Sequence, residues 1–351
     1  MTNQVSQLTG RFAPRLSDLL KPYWISLIIS FSISLAIVHS SINLLNENEL
    51  GGLVDAEKYV AVYNGEDVSG HWGYRVVTPT LARLVPDQIE QLLQRDPTPF
   101  RQAHAHFAVI NLIFLTLSGV LLYEYLSDFF NNFWLILIGI VIFLTSRTNI
   151  QSAGAPLVDA GANFFLLLGM LGIARQNITL VFLASTIGTF TKETTILLWA
   201  LLWLANIQSR RKITLSIALL PGTLGYLTYR FLIDPDGSGG SYFTESINMI
   251  PDMLETLVTP NGIMDWISSF NLFWIPAIYA LFRCDIPILL RRWLWFVPLV
   301  IVMILLLQGN LGRILFMTFP VVIPLALIGM QEYLGIGHEG NIPREHQPGI
   351  S

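Results

Sequence analysis

The residues best suited to chemistry in this chain lie in one stretch, LVDAEKYVAVYNGEDVSGHWGYRVVTPTLARL, which runs from Leu53 to Leu84. Asp55 comes one helical turn before Tyr59, and His71 and Arg75 follow. A carboxylate such as Asp55 can act as a general base that accepts the proton of an attacking hydroxyl. An arginine such as Arg75 suits two-point contact with a phosphate or a carboxylate. The stretch therefore combines a base with an anion-binding group.

These residues also have purely structural interpretations. Asp55 could cap or solvate a loop helix, and Arg75 could form an ordinary salt bridge with Asp55 or Glu57. Glu66 and Asp67 are further acids in the same stretch. The type and spacing of the residues alone leave both interpretations open.

Further charged residues occur in segments that are otherwise apolar. Asp159, in APLVDAGAN, stands at the start of an apolar run, where an acid also favours a helix N-terminus. Lys192 and Glu193, in GTFTKETT, interrupt a long apolar run, and charges at membrane depth are costly unless they face protein, water or ligand. Arg313, in QGNLGRILF, could extend to lipid headgroups or hold an anionic ligand.

The composition predicts which elements position these residues. Of the 351 residues 53% are hydrophobic and only 13% are charged, and the mean hydropathy is +0.56. Apolar runs of roughly 17–25 residues, long enough to cross a bilayer, recur along the chain. We expect an all-α polytopic membrane protein with about ten membrane segments. The net charge of −4 and the lack of a basic tract predict no nucleic-acid partner.

The expected organisation is a single transmembrane domain over residues 24–334. It follows a cytoplasmic amphipathic N-terminus, residues 1–23, and precedes a disordered cytoplasmic tail, residues 335–351. Two sizeable extracytoplasmic loops, 46–103 and 234–262, interrupt the domain. A long loop between spans is more often functional than merely connective.

Two features inside this domain decide the topology. The first loop is expected to hold two amphipathic helices, about Leu50–Tyr63 and Thr78–Gln94. The apolar region Ile178–Ile207 is either one tilted helix or two short helices that meet at Lys192 and Glu193.

Lysines and arginines in short loops indicate the cytoplasmic side. Only the two-helix interpretation of Ile178–Ile207 places every short-loop cluster of lysines and arginines on the cytoplasmic side, together with both termini. The ionisable residues that this topology assigns to the outer side are Asp55, His71, Arg75, Arg147, Asp159, Lys192, Glu193 and Arg313.

Four short patches of the sequence resemble the GT-C superfamily of integral membrane glycosyltransferases. DAEKY at Asp55–Tyr59 is similar to the family's acid element in the first large loop, and GYRVVTPTLARL at Gly73–Leu84 is similar to a "YR-x-L-x-P-x-L-A" stretch. TKETT at Thr191–Thr195 and GRILFMTFPVVIPLAL at Gly312–Leu327 match its "[RK]-E-[ST]" element and its final "R…P…P" span. Many members carry a D-x-D or E-x-D pair in the loop, and the nearest match here is Asp55-Ala56-Glu57.

The resemblance implies a hexosyl or pentosyl transferase that takes its sugar from a polyprenyl-phosphate-linked donor, on the extracytoplasmic side of a bacterial inner (plasma) membrane. It implies Asp55 as the catalytic base. The residues implied to bind the donor phosphate are Arg75, Lys192 and Arg313. Those implied to position the substrate are Tyr59, His71, Asp159 and Glu193. The sequence has no strong metal-ligand motif, and the resemblance leaves open whether a divalent cation takes part.

Two other functions fit the same residues. In a polytopic transporter or lipid-linked-substrate flippase, the charges would line a path near the middle of the bilayer, with paired discontinuous helices and repeat symmetry. In a non-catalytic membrane subunit with the same fold, Asp55 would point away from the cationic residues.

Overall fold

The structure, a computed structural model, describes residues 16–44, 54–88, 99–233, 250–307 and 311–335. Helices account for most of these residues, and none of them lies in a strand. The predicted all-α class is therefore confirmed for the part of the chain that is described.

The first half of the chain forms α1 to α7, with a short 3-10 turn at Gly70–Trp72 between α2 and α3. Their bounds are α1 Leu16–Leu44, α2 Val54–Asn64, α3 Val77–Arg83, α4 Pro99–Leu126, α5 Phe133–Leu144, α6 Arg147–Ala153 and α7 Asp159–Ala174.

The second half forms α8 to α17, with short 3-10 or π-helical segments next to some of these helices. The helices are α8 Ile178–Thr189, α9 Leu198–Leu204, α10 Ser209–Thr228, α11 Ile250–Val258, α12 Pro260–Phe270, α13 Trp274–Arg283, α14 Ile288–Trp293, α15 Phe296–Leu307, α16 Leu311–Leu315 and α17 Phe319–Leu334. The 3-10 segments are Glu193–Leu197, Asn271–Phe273 and Phe316–Thr318, and Tyr229–Ile233 is a π-helical turn.

Three continuous helical segments in the described ranges are long and apolar enough to cross a membrane: Tyr23–Ile42, Gln102–Leu126 and Leu311–Leu334. Two bent pairs raise the number of candidate spans to five. Phe133–Leu144 with Arg147–Ala153 bends by 58°, and Pro260–Arg283 with Ile288–Met303 bends by 109°.

The apolar region Ile178–Ile207 is broken at Lys192 and Glu193, as the two-helix interpretation expected. The chain is α-helical up to Thr189, and Lys192 adopts an extended conformation (φ −163°, ψ 137°). The 3-10 segment Glu193–Leu197 then leads into α9. The break matters for function because it brings two charged side chains to the end of an apolar helix.

Other boundaries differ from the expectations. The helix α1 covers Leu16–Leu44, so residues 16–23 are continuous with the first expected membrane segment. In the first loop, α3 ends at Arg83, well before the expected Gln94. Residues 1–15, 89–98, 234–249 and 336–351 lie outside the described residues, and with them the expected tail and part of each loop.

The described part of the first loop is anchored on the helical bundle. The backbone N–H of Val77 donates to the carbonyl of Phe190 at 3.3 Å, beyond the last turn of α8. The Thr78 side chain is fully buried and lies beside Gly161 of α7, where a larger residue would meet it. The loop segment that carries Arg75 is therefore held against the end of α8, next to Glu193.

Helices α13 and α17 cross in close backbone contact at Gly329. A Cβ atom at this position would overlap the carbonyl oxygen of Pro276 and lie 2.8 Å from its carbonyl carbon. Backbone cannot move aside as a side-chain end can, so the contact requires glycine.

We expect Gly329→Ala to lower the apparent unfolding temperature of the detergent-solubilised protein, because the added methyl group separates α13 from α17. Overpacking of this kind costs about 1–3 kcal/mol. Gly225→Ala is the matched control, since its Cβ would meet only the flexible ring end of Phe190 at 2.9 Å. Intrinsic fluorescence during heating measures both variants, and equal shifts for the two would contradict the backbone-contact argument.

Candidate functional site

Asp55 lies in the first turn of α2, and two donors fix its carboxylate. The Trp72 indole Nε1–H donates to Oδ1 at 2.9 Å, because the 3-10 turn Gly70–Trp72 brings the ring back over α2. Arg313 Nη1 donates to Oδ2 at 2.9 Å, from the start of the candidate span Leu311–Leu334. The loop acid and this segment therefore meet directly, 258 residues apart in sequence.

Arg313 also contacts a second acid, Asp159, which begins α7. Its Nη2 donates to Asp159 Oδ2, while Lys192 Nζ donates to Asp159 Oδ1 at 2.6 Å. Asp159 does lie in the first turn of α7, as expected for an acid at a helix N-terminus, and its carboxylate also accepts from two cations. Asp55, Arg313, Asp159 and Lys192 form a continuous chain of alternating charge, which we call the ion-pair chain.

Arg75 and Glu193 form a second ionic unit beside this chain. Arg75 Nε donates to Glu193 Oε2 at 2.8 Å, and its Nη2 donates to Oε1. Its Nη1 donates to the Tyr59 hydroxyl, and the Tyr74 hydroxyl donates to Glu193. The structural alternative for Arg75, a salt bridge with Asp55 or Glu57, is wrong, since its acid partner comes from the other side of the α8 break.

The two units are adjacent, since Lys192 and Glu193 are neighbours in sequence and Asp55 and Tyr59 share one face of α2. The structure thus brings together seven of the eight predicted site residues, from four separate parts of the chain. The eighth, His71, lies in the 3-10 turn, but its side chain is outside the described residues.

The site is most accessible at the Asp55–Arg313 pair. The side chain of Asp55 is 30% exposed and that of Arg313 is 17% exposed. Behind them, Asp159 is 4% exposed and Lys192 is 10% exposed. Glu193, in the neighbouring unit, is 22% exposed, and Asp55 is therefore the most accessible charged side chain of the site.

The surroundings of Asp55 favour its ionised form. Burial of the carboxyl acts to raise its pKa, but the Arg313 guanidinium and the Trp72 indole N–H outweigh it, and the pKa lies below its ordinary value. Because the folded-state pKa is lowered, this stabilisation is present above the ordinary pKa and is lost as the pH falls through the folded-state value. Asp55 is therefore a carboxylate at neutral pH.

The Tyr59 hydroxyl has the opposite tendency. Its burial raises its pKa well above the ordinary range, despite the nearby Arg75 guanidinium. Tyr59 is therefore a neutral hydroxyl that accepts a hydrogen bond from Arg75, and it fixes the orientation of that guanidinium.

The acids of this site do not fit a bound divalent cation as they stand. Among the described residues no group of three or more His, Cys, Asp or Glu side chains could hold a metal ion. The Arg313 guanidinium lies between the carboxylates of Asp55 and Asp159, in the position that a bridging cation would take.

Aromatic residues that no sequence pattern predicted at the site lie around the acids. Trp72 was within the quoted stretch, but a tryptophan in a loop has no signature that identifies it as a donor to a carboxylate. Tyr226 and Tyr229, at the end of α10, pack against Tyr74 with ring centroids 5.2 and 5.4 Å away. Gly73 permits this packing, because a Cβ there would overlap the Tyr229 hydroxyl.

Arg147, which was expected on the same side, does not join the ion-pair chain. It donates to Asp265 and to the Ser268 hydroxyl at 3.1 Å, and it ties α6 to α12. Its side chain is 45% exposed, so this pair is an ordinary surface contact.

The chain matches no protein-family model, no curated protein and no solved structure. Any functional conclusion therefore depends on the geometry of the site and on the resemblance of its short sequence patches.

We expect Glu193→Gln to destabilise the protein strongly, because it leaves the nearly buried Arg75 guanidinium (6% exposed) without its acid partner. Breaking a buried pair from one side costs about 3–5 kcal/mol. Equilibrium unfolding in mixed detergent micelles would measure the change in the free energy of unfolding.

The double variant Arg75→Met/Glu193→Gln should lose less stability than the sum of its two single variants, since it removes both charges together. Arg147→Met is the control for the loss of an exposed pair and should cost no more than about 1 kcal/mol. Strict additivity in the double variant would show that Arg75 and Glu193 are not energetically coupled.

Proposed function

We propose that this protein is a membrane glycosyltransferase that moves a sugar from a polyprenyl-phosphate-linked donor to an acceptor hydroxyl. The observation that carries this proposal is the contact of a partly exposed loop carboxylate, Asp55, with Arg313 at the start of a candidate membrane span. A base and a phosphate-binding group must both lie near one carbon for glycosyl transfer, because the attacked carbon is bonded to the phosphate oxygen.

In the proposed reaction the acceptor oxygen forms a bond with the anomeric carbon of the sugar. The bond between that carbon and the phosphate oxygen breaks, and its electron pair stays on the phosphate. Asp55 accepts the proton of the acceptor hydroxyl, as a general base. The phosphate gains one negative charge in this step, and a fixed guanidinium such as Arg313 stabilises that developing charge.

The geometry refines the roles that the resemblance implies for the other residues. Lys192 contacts Asp159 and Arg75 contacts Glu193, both behind the accessible pair. We therefore assign direct phosphate contact to Arg313. Lys192 and Asp159 position Arg313, while Arg75, Tyr59 and Glu193 hold the loop against the bundle.

We also propose the finer topology, in which about ten segments cross a bacterial inner membrane with both termini cytoplasmic and the site outside. The positions of three helix ends support this topology, because all three lie at the site. Lys192 follows the end of α8, Tyr226 is near the end of α10 beside the loop, and Arg313 lies at the start of the last span. At the other end of α4 and α7, Arg175 pairs with Glu124 at 2.6 Å. Arg175 is one of the short-loop arginines that the proposed topology places in the cytoplasm.

Transport remains the second candidate, and the break at Lys192 favours it. Discontinuous helices commonly line substrate paths in transporters, and both bent helix pairs would fit that architecture. The two functions differ in chemistry, since a transporter leaves the bond between sugar and phosphate intact.

The test is release of polyprenyl phosphate from a polyprenyl-phosphate-linked sugar by the purified protein in lipid nanodiscs, with a membrane extract as the source of acceptor. We expect turnover by the wild-type protein and a loss of about 10²–10⁴-fold in Asp55→Asn, the range for general-base catalysis. Mass spectrometry of the lipid product would measure the rate.

Glu57→Gln is the matched control, because it removes the same charge from the same helix at an exposed position. It should retain most of the wild-type rate. Movement of the intact donor across the proteoliposome membrane without cleavage would instead support transport. If neither the wild-type protein nor Glu57→Gln cleaves or moves the donor, the result would support a non-catalytic subunit.

A further inference from the structure

The cations of the site are already matched by acids before any donor arrives. Arg313 contacts Asp55 and Asp159, Lys192 contacts Asp159, and Arg75 contacts Glu193. These side chains carry three positive and three negative charges. A donor phosphate that enters the site must therefore compete with the carboxylates for these cations.

Burial identifies the carboxylate that can be displaced. Asp159 is 4% exposed and holds both Lys192 and Arg313, so its removal would leave buried cations unmatched. Glu193 makes two bonds to Arg75 and accepts one from Tyr74. Asp55 is the most exposed of the three at 30%, and it lies on a short loop helix outside the candidate spans.

The bonding of Arg313 permits such an exchange. Its Nη2 stays on Asp159, which holds the guanidinium in place, while its Nη1 is the nitrogen that donates to Asp55. A phosphate oxygen can accept from an arginine N–H in the same way as a carboxylate oxygen. The guanidinium can therefore exchange one partner without losing its anchor.

We propose that the donor phosphate takes the place of the Asp55 carboxylate on Arg313 Nη1, and that this exchange activates Asp55 as the base. The inference rests on the proposed function. It predicts that the donor binds first, because the acceptor meets an available base only after the phosphate has occupied Arg313.

The exchange has a chemical consequence for Asp55. While Arg313 faces it, the carboxylate is held as a weak base, with Oδ1 bonded to Trp72 and Oδ2 bonded to Arg313. Once the phosphate neutralises Arg313, Oδ2 is available for the proton of the acceptor hydroxyl. After transfer that proton resides on Asp55, and the more highly charged phosphate product remains on Arg313.

Competition for Arg313 leads to an unusual prediction: removing the base should tighten donor binding. In Asp55→Asn the phosphate no longer displaces a charged partner, so we expect at least about fivefold tighter binding, the lower end of ordinary coupling between two ligands. The probe is a short-chain polyprenyl monophosphate, titrated into detergent-solubilised protein by calorimetry. The uncharged polyprenol of the same length is the reference ligand.

Two further variants make the result specific. Glu57→Gln removes the same charge two residues from Asp55, at an exposed position, and should change the dissociation constant less than twofold. Arg313→Lys should weaken binding of the monophosphate. A guanidinium can donate to Asp159 and to the phosphate from two nitrogens in fixed positions, whereas a lysine ammonium has only one nitrogen. The unfolding temperature of each variant checks that it is folded.

The outcomes separate the inference from the function. Tighter binding in Asp55→Asn but not in Glu57→Gln supports the exchange. A second outcome is that the wild-type protein prefers the monophosphate over the polyprenol, but Asp55→Asn binds the monophosphate equally or more weakly. This outcome overturns the exchange and leaves the proposed function standing. No preference for the monophosphate in the wild-type protein or in Asp55→Asn overturns both.

Discussion

The bridge that Arg313 makes between Asp55 and Asp159 is the interaction on which the site depends. It joins the first loop, the start of α7 and the candidate span Leu311–Leu334 through one guanidinium. A planar group with several N–H donors can serve two acids at once, whereas a lysine presents a single point of charge. Because both acids are turned toward this one group, the position of Arg313 decides the orientation of Asp55.

The bridge is energetically sustainable because most of its members are shielded and matched. An isolated buried charge is very costly, and a paired one is tolerated only when its hydrogen-bonding groups are satisfied. Asp159 meets this condition with both oxygens bonded, and Arg75 meets it with bonds to Glu193 and Tyr59. Asp55 is the most exposed of these charged side chains, so the proposed exchange would take place at the edge of a mostly buried arrangement.

Sequence reasoning could predict the helical class, the break at Lys192 and the residues that meet at the site, because charge in an apolar chain is rare and each exception is visible. It could not predict which charges pair. Arg75 had acids at positions 55 and 57 within its own loop, yet it pairs with Glu193, because the backbone bond from Val77 to Phe190 brings the loop to the end of α8. Such docking arises from tertiary packing, which local patterns do not encode.

The contact between Trp72 and Asp55 is another result of tertiary packing that local sequence patterns do not encode. An indole N–H that holds one oxygen of Asp55 keeps the carboxylate in place when its partner on the other oxygen leaves. In the proposed exchange, Asp55 would otherwise rotate away once Arg313 bonded to another anion, and the proposed base would lose its alignment. A fixed donor on Oδ1 and an exchangeable donor on Oδ2 would together give a base that is both positioned and controllable, which neither contact could achieve alone.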